Sequence, residues 1–326
     1  MKKKVLSGIR PTGKLHLGHW AGVLSNWVKI QNDYECFFMV ADWHALMSEY
    51  KNSHNIKDII LDNVADWISW GIDPKKAVVF VQSDIKEHLE LFLYLSFFTP
   101  LGLLSRCPTF KEQIKQLKDK DINTYAFLGY PVLQASDILI YKADCVPVGE
   151  DQLPHLEITR QIARRFHFIY NCEVFTEPQP LLTSAAKLLG IDGRKMSKSY
   201  NNFIALDEED SSLVRKVLSM FTDPSRLRKK DVGHPDICNV YSYYNVFFSR
   251  MCSDVYDWCI NAKKGCKECK KILSQMLIEL IREKRERKRE IMEDKKFIPN
   301  VLEEGAAKAR SVARKTIEEV KKVVLR

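Results

Sequence analysis

The sequence predicts an α/β fold in which a parallel sheet, covered by helices on both faces, is followed by a helical region. Strand-like apolar runs alternate with segments of helical periodicity before Asp207, and such runs are missing from the sequence after it. Hydrophobic residues make up 45% of the 326 residues and charged residues 29%, a balance that excludes disordered, collagen-like and coiled-coil chains. In sheets of this kind, ligands bind beyond the carboxyl ends of the strands.

The elements follow from the spacing of apolar residues. Three continuous runs rich in β-branched and aromatic residues are typical of buried parallel strands: Lys4 to Ser7, Glu35 to Ala41 and Ala77 to Val81. Three segments with helical periodicity alternate with them: 19–31, 55–70 and 86–98. The last helix carries one apolar stripe, which must pack on another surface: Leu302, Ala306, Ala309, Ala313, Ile317, Val320 and Val324.

The charge is unevenly distributed. The chain has 51 Lys and Arg against 42 Asp and Glu, a net charge of +9. Between Lys263 and Lys296 there are 13 basic and 7 acidic residues, so +6 of this charge lies in one short block. A local basic block indicates a polyanionic partner. The alternative, a solvated face of a Lys- and Arg-rich helix, stays open.

The sequence predicts no membrane span and no signal peptide. The most apolar stretch, Leu91 to Leu104, is interrupted by Pro100 and Gly102, whereas a span needs roughly 20 apolar residues. The basic start, Met1 to Lys4, is not followed by the apolar segment of a signal peptide. We therefore expect a cytoplasmic protein whose nine cysteines are reduced thiols or metal ligands rather than disulfides.

Two motifs compete in the segment after the first strand. Gly8 to Lys14 has the G-x-x-x-x-G-K spacing of a phosphate-binding P-loop. That motif next requires Ser or Thr to hold Mg²⁺, and residue 15 is Leu15. Pro11 also removes a backbone N–H from the loop that would surround phosphates. The sequence therefore argues against a P-loop.

The second motif is His16-Leu17-Gly18-His19 at the predicted N-terminus of a helix. His16 and His19 lie on one face of the first turn, where the helix dipole and free N–H groups favour anions. Gly18 allows a ligand to approach the backbone closely. Further along, Arg194 to Ser199 reads Arg-Lys-Met-Ser-Lys-Ser, a loop whose two lysines and two serines are donors suited to a triphosphate. Alone, each motif has a structural alternative: a packed histidine pair or a solvated basic turn.

Together, the His-x-Gly-His and Lys-Met-Ser-Lys-Ser motifs resemble those of the class I aminoacyl-tRNA synthetases, which bind ATP between them. The resemblance implies a Rossmann-type catalytic domain in which an amino-acid carboxylate attacks the α-phosphate of ATP, with Mg²⁺, and pyrophosphate leaves. It assigns catalytic roles to Lys195, Lys198 and Lys111 through their action on the phosphates. It implies these ATP-binding residues: Arg10, Pro11, Thr12, His16, Gly18, His19, Gly149, Glu150, Asp151, Lys195, Met196, Ser197, Lys198 and Ser199.

The amino-acid substrate is suggested by Asp137, which lies in an apolar segment. A buried carboxylate is costly unless it is paired, and an indole N–H or a phenol hydroxyl would pair with it. The residues alone leave tryptophan and tyrosine open, as well as a capping role for Asp137.

Two further segments resemble the tryptophanyl rather than the tyrosyl family: Val-Pro-Val-Gly-Glu-Asp-Gln at 146–152 and Ala-Asp-Trp-His-Ala at 41–45. This implies a tryptophan–tRNA ligase whose tryptophan-binding residues are His44, Tyr130, Gln134, Asp137, Val146, Val148 and Gln152. Asp137 would accept from the indole N–H, and the two valines would flank the ring. Arg10 and Gln134 depart from many bacterial relatives, which have Gln and Met there. Gln134 could then hydrogen-bond the substrate ammonium.

Five of the nine cysteines lie in the helical region, and four have the spacing C-x20-C-x6-C-x2-C: Cys238, Cys259, Cys266 and Cys269. Four thiolates suit Zn²⁺ or an iron–sulfur cluster. A branch of the tryptophanyl family carries a [4Fe–4S] cluster on a similar pattern, so the resemblance favours that cluster, with Zn²⁺ as the alternative. Cys252 competes with Cys238 as the fourth ligand. The remaining four are expected to be buried thiols: Cys36, Cys107, Cys145 and Cys172.

The resemblance also implies partners and domain limits. The catalytic domain would span 1–206, an α-helical anticodon-binding domain 207–300, and a C-terminal helix 301–326 would pack back on the body. The basic block would meet tRNA(Trp), and the family acts as a homodimer. The apolar stretch Leu89 to Leu104 is the candidate interface, with a simply buried helix as the alternative. The rival hypotheses are a tyrosyl-type synthetase, a P-loop NTPase and a non-catalytic RNA-binding metalloprotein.

Overall fold

The computed structural model of the chain describes residues 2–105, 122, 124–182 and 188–325. Its centre is a five-stranded parallel sheet of order β3-β2-β1-β4-β5. The strands are β1 (Lys4–Ile9), β2 (Glu35–Val40), β3 (Ala77–Val81), β4 (Cys145–Val148) and β5 (Gln179–Leu182). The α/β prediction and its first three strands are confirmed. The two short strands, each with a proline, have no apolar run that reveals them in the sequence.

Helices connect and cover the strands. The first, α1 (Leu17–His19), continues through a π-helical segment (Trp20–Leu24) into α2 (Ser25–Ile30). The sheet region then contains α3 (Asp42–Glu49), α4 (Ile56–Ser69), α5 (Glu87–Ser96), α6 (Leu101–Ser105), α7 (Tyr125–Ile140) and α8 (Leu153–Tyr170). The C-terminal region contains α9 (Asp210–Ser219), α10 (Asn239–Phe247), α11 (Cys252–Ile260), α12 (Cys266–Glu293) and α13 (Phe297–Val324). Among the described residues, no helix combines the length and apolar character that a membrane crossing requires.

The core lies on both faces of the sheet. Successive strand residues point to opposite faces of the sheet, so Phe37 and Phe38 belong to different hydrophobic clusters, one on each face. Phe38 stacks on Trp27, with ring centroids 4.3 Å apart, whereas Phe37 stacks on Tyr141 at 4.8 Å. This burial on both faces explains why the strands read as continuous apolar runs.

The C-terminal helix α13 packs on edge strand β3 and on α5, not on the helical region alone. Its predicted stripe is buried from Leu302 to Val320, and Val324 is half-buried. Gly305 makes the close approach possible, because a Cβ added there would lie 1.8 Å from the carbonyl oxygen of Val79. The helix begins at Phe297, four residues before the predicted boundary.

Three cations of the basic block point inward, and one of them, Lys288, attaches the helical region to the sheet domain. Lys288 Nζ lies within 2.7–3.0 Å of carboxylate oxygens of Asp62, Asp66 and Asp207. Arg285 donates to Asp210 at 2.8 Å, and Lys270 donates to two backbone carbonyls near the end of α9. The block is therefore neither a uniform solvated face nor wholly available to a polyanion.

Candidate active site

A cavity of about 240 Å³ opens at the carboxyl end of the central strands. Strands β1, β2 and β4 contribute to its wall, and helices α3 and α7 close it. All seven residues predicted for the amino-acid site line this cavity, together with Arg10: His44, Tyr130, Gln134, Asp137, Val146, Val148 and Gln152. They come from four separate segments that the parallel sheet brings to one edge. Their roles toward a ligand stay predictions.

Asp137 on α7 is the buried charge of the cavity, with 1% of its surface exposed. Gln82 Nε2 donates to its two oxygens at 2.8 and 2.9 Å, and His44 Nε2 lies 2.7 Å from Oδ2. His88 Nδ1 lies 2.5 Å from Oδ1. Burial raises the pKa of this carboxyl, but hydrogen bonds from His44 and His88 outweigh it and hold the pKa below its usual value. Asp137 is therefore ionised and already paired by the protein.

Gln82 and His88 were not identified from the sequence, because neither lies in a recognisable motif. The same is true of His155, which lines the cavity and places Nε2 2.7 Å from the hydroxyl of Tyr130. A polar residue directly after a buried apolar strand is a pattern that can indicate a functional side chain, and Gln82 after β3 has this pattern. Only the packing reveals which carboxylate it serves.

The two histidines of the first motif lie in contact at the start of α1. The His16 backbone N–H donates to His19 Nδ1 at 3.1 Å, and the ring centroids are 3.8 Å apart. Burial, reinforced by the charge of Lys198, lowers the pKa of His16 to about 4. Burial, then His16 and Lys198, lower the pKa of His19 well below its usual value. Both imidazoles are neutral at pH 7, so they can donate to phosphates without adding a cation.

The two signature motifs meet in space. The Gly18 N–H donates to Met196 Sδ at 3.3 Å, and an added Cβ at Gly18 would lie 3.0 Å from the His16 ring. The chain after the second motif also pairs with the start of α1, where the Leu17 N–H donates to the Ile204 carbonyl at 2.9 Å. A side chain at position 18 would therefore crowd His16 and Met196, which favours glycine there on steric grounds.

The Lys-Met-Ser-Lys-Ser loop is held by Asn202, which the sequence did not single out. Asn202 Oδ1 accepts from the Ser197 N–H at 2.8 Å, and its Nδ2 donates to the Lys195 carbonyl at 3.1 Å. The Lys195 side chain is exposed, and that of Lys198 is half-buried. Burial, together with the charge of Arg10, lowers the pKa of Lys198 to about 8. Lys198 therefore stays mostly protonated at pH 7, at the edge of its titration range.

The remaining predicted nucleotide residues lie on neighbouring loops. Pro11 and Thr12 follow β1, whereas Gly149 and Glu150 follow β4, so both segments leave the carboxyl edge of the sheet. The side chains of Asp151 and Ser199 lie outside the described part of the structure, as do Lys111 and Cys107 entirely.

The P-loop hypothesis is wrong on structural grounds. Gly8 is not in a loop but within β1, where it pairs with Met39 of β2. Lys14 Nζ lies 3.2 Å from Asp207 Oδ2, directed to the helical region. The first glycine of the P-loop spacing is therefore part of a strand, and its lysine is paired with the helical region.

Four cysteines of the helical region share a small cavity of about 30 Å³: Cys238, Cys259, Cys266 and Cys269. Cys252 is not among its lining residues, and its Sγ lies 3.8 Å from the Phe248 carbonyl oxygen. Burial, reinforced by Cys238, raises the pKa of Cys269 to about 12. Within the described residues, no group of three or more His, Cys, Asp or Glu side chains is arranged to hold a metal ion. The donor set suits a four-cysteine centre, but its sulfurs are not preassembled.

The comparisons with known proteins agree with the site. The profile of the family described as "tRNA synthetases class I (W and Y)" matches residues 1–282. With the parallel sheet and the two adjoining motifs, this match defines a class I aminoacyl-tRNA synthetase. A tryptophan–tRNA ligase of Thermotoga maritima is 48% identical over 324 residues, 98% of each chain. One of Aquifex aeolicus is 40% identical and covers 98% of this chain and 99% of its own.

Solved structures give the same result. Tryptophanyl-tRNA synthetase of Campylobacter jejuni, crystallised with ADP and tryptophan, has a TM-score of 0.88, 32% identity and 98% coverage of both chains. A tyrosyl-tRNA synthetase of Archaeoglobus fulgidus, at 19% identity and a TM-score of 0.69, shares the fold alone. The chain belongs to the tryptophanyl-tRNA synthetase family. The prediction of an aminoacyl-tRNA ligase of the tryptophan type is confirmed, and the tyrosyl-type hypothesis is wrong.

Proposed function

We propose that this chain activates L-tryptophan with ATP to tryptophanyl-AMP and then transfers the tryptophanyl group to the 3′ end of tRNA(Trp). The observation that carries the proposal is the cavity of about 240 Å³ at the carboxyl edge of the sheet, with the ionised Asp137 buried in its wall. A cavity that combines apolar walls, such as Val146 and Val148, with a buried carboxylate acceptor fits an aromatic ring that bears one N–H donor.

Within the cavity, the residues divide by chemistry. The Asp137 carboxylate accepts from the indole N–H, and Val146 and Val148 flank the ring. Tyr130 and Gln152 orient the ammonium and carboxylate of the substrate, with Gln134 and His44 beside them. An amino acid without the ring donor forgoes one hydrogen bond to a charged acceptor, worth about 1.5–3 kcal/mol, so phenylalanine is disfavoured roughly 10- to 150-fold.

ATP lies between the two signature motifs. The Nδ1 atom of His16 is buried and has no hydrogen-bond partner among the described residues, so it is available to a phosphate oxygen. Lys195 and Lys198 neutralise the charge that develops as the tryptophan carboxylate attacks the α-phosphate, and Lys111 is a third cation. The carboxylate needs no general base, so catalysis is positioning and electrostatic stabilisation. Mg²⁺ enters with the phosphates, which supply its oxygen ligands.

The remaining nucleotide contacts follow the loops. The segment Arg10 to Thr12 with Gly18 and His19 surrounds the phosphates from one side, and Met196 to Ser199 from the other. Gly149 to Asp151 meets the ribose.

The decisive measurement is pyrophosphate exchange with each of the twenty amino acids. We expect exchange with tryptophan alone, and we expect Asp137→Ala to abolish it while ATP binding survives. Exchange that is equal for parent and Asp137→Ala would refute the role of Asp137, and exchange driven by another amino acid would refute the substrate.

The helical region is proposed to bind the anticodon arm of the tRNA. We propose catalytic limits of 1–206, a tRNA-binding unit at 207–300 and a C-terminal helix from 301 onward that belongs structurally to the sheet domain. A groove beside Cys266 supports this, because exposed cations line it: Arg228, Lys229, Lys267 and Lys271. Replacing these four with Ser should weaken tRNA binding and reduce its salt dependence, with tryptophan activation unchanged.

The four cysteines beside that groove are proposed to bind a [4Fe–4S] cluster. Their common cavity and the position of Cys252 outside it favour Cys238 as the fourth ligand. Such a cluster would tie α10, α11 and α12 together at the base of the tRNA-binding unit, a structural role. All eight described cysteines are free thiols, which is consistent with a reducing, cytoplasmic location.

Anaerobic purification with iron and zinc quantitation tests the cluster. We expect about four iron atoms per chain and their loss in Cys238→Ser but not in Cys252→Ser. Stoichiometric zinc without iron would refute the cluster and retain the alternative metal.

A homodimer is proposed through α5 and α6. Leu89, Leu93 and Phe97 are exposed at spacings of four, and Leu101 and Tyr125 extend the same run of exposed apolar residues. Apolar side chains repeated along one helix face indicate a protein contact. Leu93→Glu should convert a dimer into a monomer in sedimentation velocity, whereas Phe168→Glu, at an exposed aromatic on α8, should not. A monomeric parent would refute the proposal.

A further inference from the structure

Asp137 is held from behind by residues that the substrate cannot reach. Of its three donors, His44 lines the cavity, whereas Gln82 and His88 do not, and both are fully buried. His88 Nδ1 lies 2.5 Å from Asp137 Oδ1, and His88 Nε2 lies 2.7 Å from the Tyr141 hydroxyl. The result is a chain of three polar groups, Tyr141, His88 and Asp137, inside the hydrophobic core.

The direction of the hydrogen bonds in this chain follows from the charge of Asp137. An ionised carboxylate only accepts, so His88 Nδ1 carries a proton and donates to Asp137. On the other side of the ring, Nε2 is in hydrogen-bond contact with the Tyr141 hydroxyl. Burial, followed by the charge of Asp137, raises the pKa of Tyr141 well above its usual value, so the phenol keeps its proton. Each group is therefore held in place by the next.

Three structural elements contribute to this arrangement. Gln82 directly follows β3, His88 is in the first turn of α5, and Asp137 and Tyr141 lie at the end of α7. The Ser136 hydroxyl, adjacent to Asp137, also donates to the His88 carbonyl at 2.6 Å, which fixes α5 against α7. The carboxylate thus cannot rotate without breaking contacts on two other elements.

We propose that His88 is a positioning residue for amino-acid specificity: with Gln82 and Tyr141, it keeps Asp137 a fixed, ionised acceptor for a ring N–H. The substrate class is aromatic amino acids with a ring donor. This inference rests on the proposed role of Asp137 in tryptophan binding. Without the His88 donor, burial favours the protonated acid, which can donate as well as accept and no longer selects for a ring N–H.

The readout is the ratio of kcat/KM for tryptophan to that for benzothienylalanine, in which sulfur replaces the ring N–H. A matched pair of variants isolates the donor to Asp137. In His88→Asn the amide nitrogen can occupy the Nδ1 position, whereas in His88→Gln it reaches toward Nε2 instead. We expect His88→Asn to retain most of the ratio. We expect His88→Gln to reduce the ratio about 100-fold, mainly through a higher KM for tryptophan. KM for ATP should not change in either variant.

Two controls separate this inference from its premise. His167→Leu removes a histidine that accepts from the Phe175 N–H outside the cavity, and it should leave the ratio unchanged. Asp137→Asn tests the premise, because an unchanged ratio there would refute the role of Asp137 itself. If Asp137→Asn loses the ratio while His88→Asn and His88→Gln are equal to each other and to the parent, the inference about His88 is overturned.

Discussion

Lys288 offers the sharpest test of how the helical region is attached to the catalytic sheet. Its ammonium lies 2.7 Å from Asp62, 2.9 Å from Asp66 and 3.0 Å from Asp207, and 8% of the side chain is exposed. Two of these carboxylates lie on α4, and the third marks the start of the helical region. Lys288→Met keeps the length and much of the volume of the side chain while it removes the charge that the three carboxylates share.

The magnitude follows from this geometry. Removal of one partner of a buried ion pair costs about 3–5 kcal/mol, because the other partner stays buried without compensation. Burial already raises the pKa of Asp66 to about 7 despite the nearby Lys288 cation. Without Lys288, Asp66 takes up a proton near neutral pH, which limits the loss. We therefore expect Lys288→Met to lower the free energy of unfolding by about 3–4 kcal/mol at pH 8 and by less at pH 5. The total stability of a protein is typically about 5–15 kcal/mol.

Urea unfolding followed by circular dichroism at both pH values measures this loss. The matched control is Arg289→Met on the next position of α12, whose side chain is 63% exposed and lies 3.6 Å from Glu209. An exposed pair of this kind is worth about 1 kcal/mol or less. Equal midpoints for Lys288→Met and Arg289→Met would refute the argument that a buried ion cluster holds the two regions together.

Three further predictions concern other parts of the molecule. Gly305→Ala should destabilise the chain by about 2–3 kcal/mol, because its Cβ would lie 1.8 Å from the Val79 carbonyl oxygen. Gly22→Ala, with no atom within 4 Å of the added Cβ, is the control in thermal unfolding, and equal losses would contradict the steric argument. Burial raises the pKa of Asp66 from 3.8 to about 7, so the folded state retains a proton that the unfolded state releases and stability falls as pH rises between these values. Asp66→Asn should remove that decline from urea midpoints measured from pH 4 to pH 8, and an unchanged decline would exclude Asp66 as its source. Because the pKa of Lys198 is about 8, kcat/KM for ATP in adenylate formation should fall as pH rises through that value. Lys198→Met should lower kcat about 100-fold or more with little change in KM for tryptophan, and a selective rise in KM would contradict a role in the transition state.

The cations of the basic block occupy two different environments in the structure. Its composition predicts a polyanion surface, and exposed cations such as Lys267 and Lys271 remain available for that role. Lys270, Arg285 and Lys288 instead donate to groups within the protein. Charge counting cannot separate these two sets, because they alternate along one helix whose inward face is defined only by what packs on it.

Several features were determined by the sequence alone, because they depend on local patterns. Continuous apolar runs, which are typical of strands buried on both faces, identified β1 to β3. The spacing of apolar residues along the last helix identified its buried stripe. The two signature motifs and the residues around Asp137 are contiguous in the chain, so a resemblance could locate them. The seven cavity residues predicted in this way do line one cavity.

Other features were decided only by the tertiary structure, because they join residues far apart in the chain. The sequence predicts that Asp137 needs a partner, but not that Gln82, His44 and His88 of the protein itself supply it. Strands β4 and β5 are too short to be distinguished from loops until the sheet pairs them. A local pattern determines which groups must be buried or paired, whereas the packing of distant segments determines their partners.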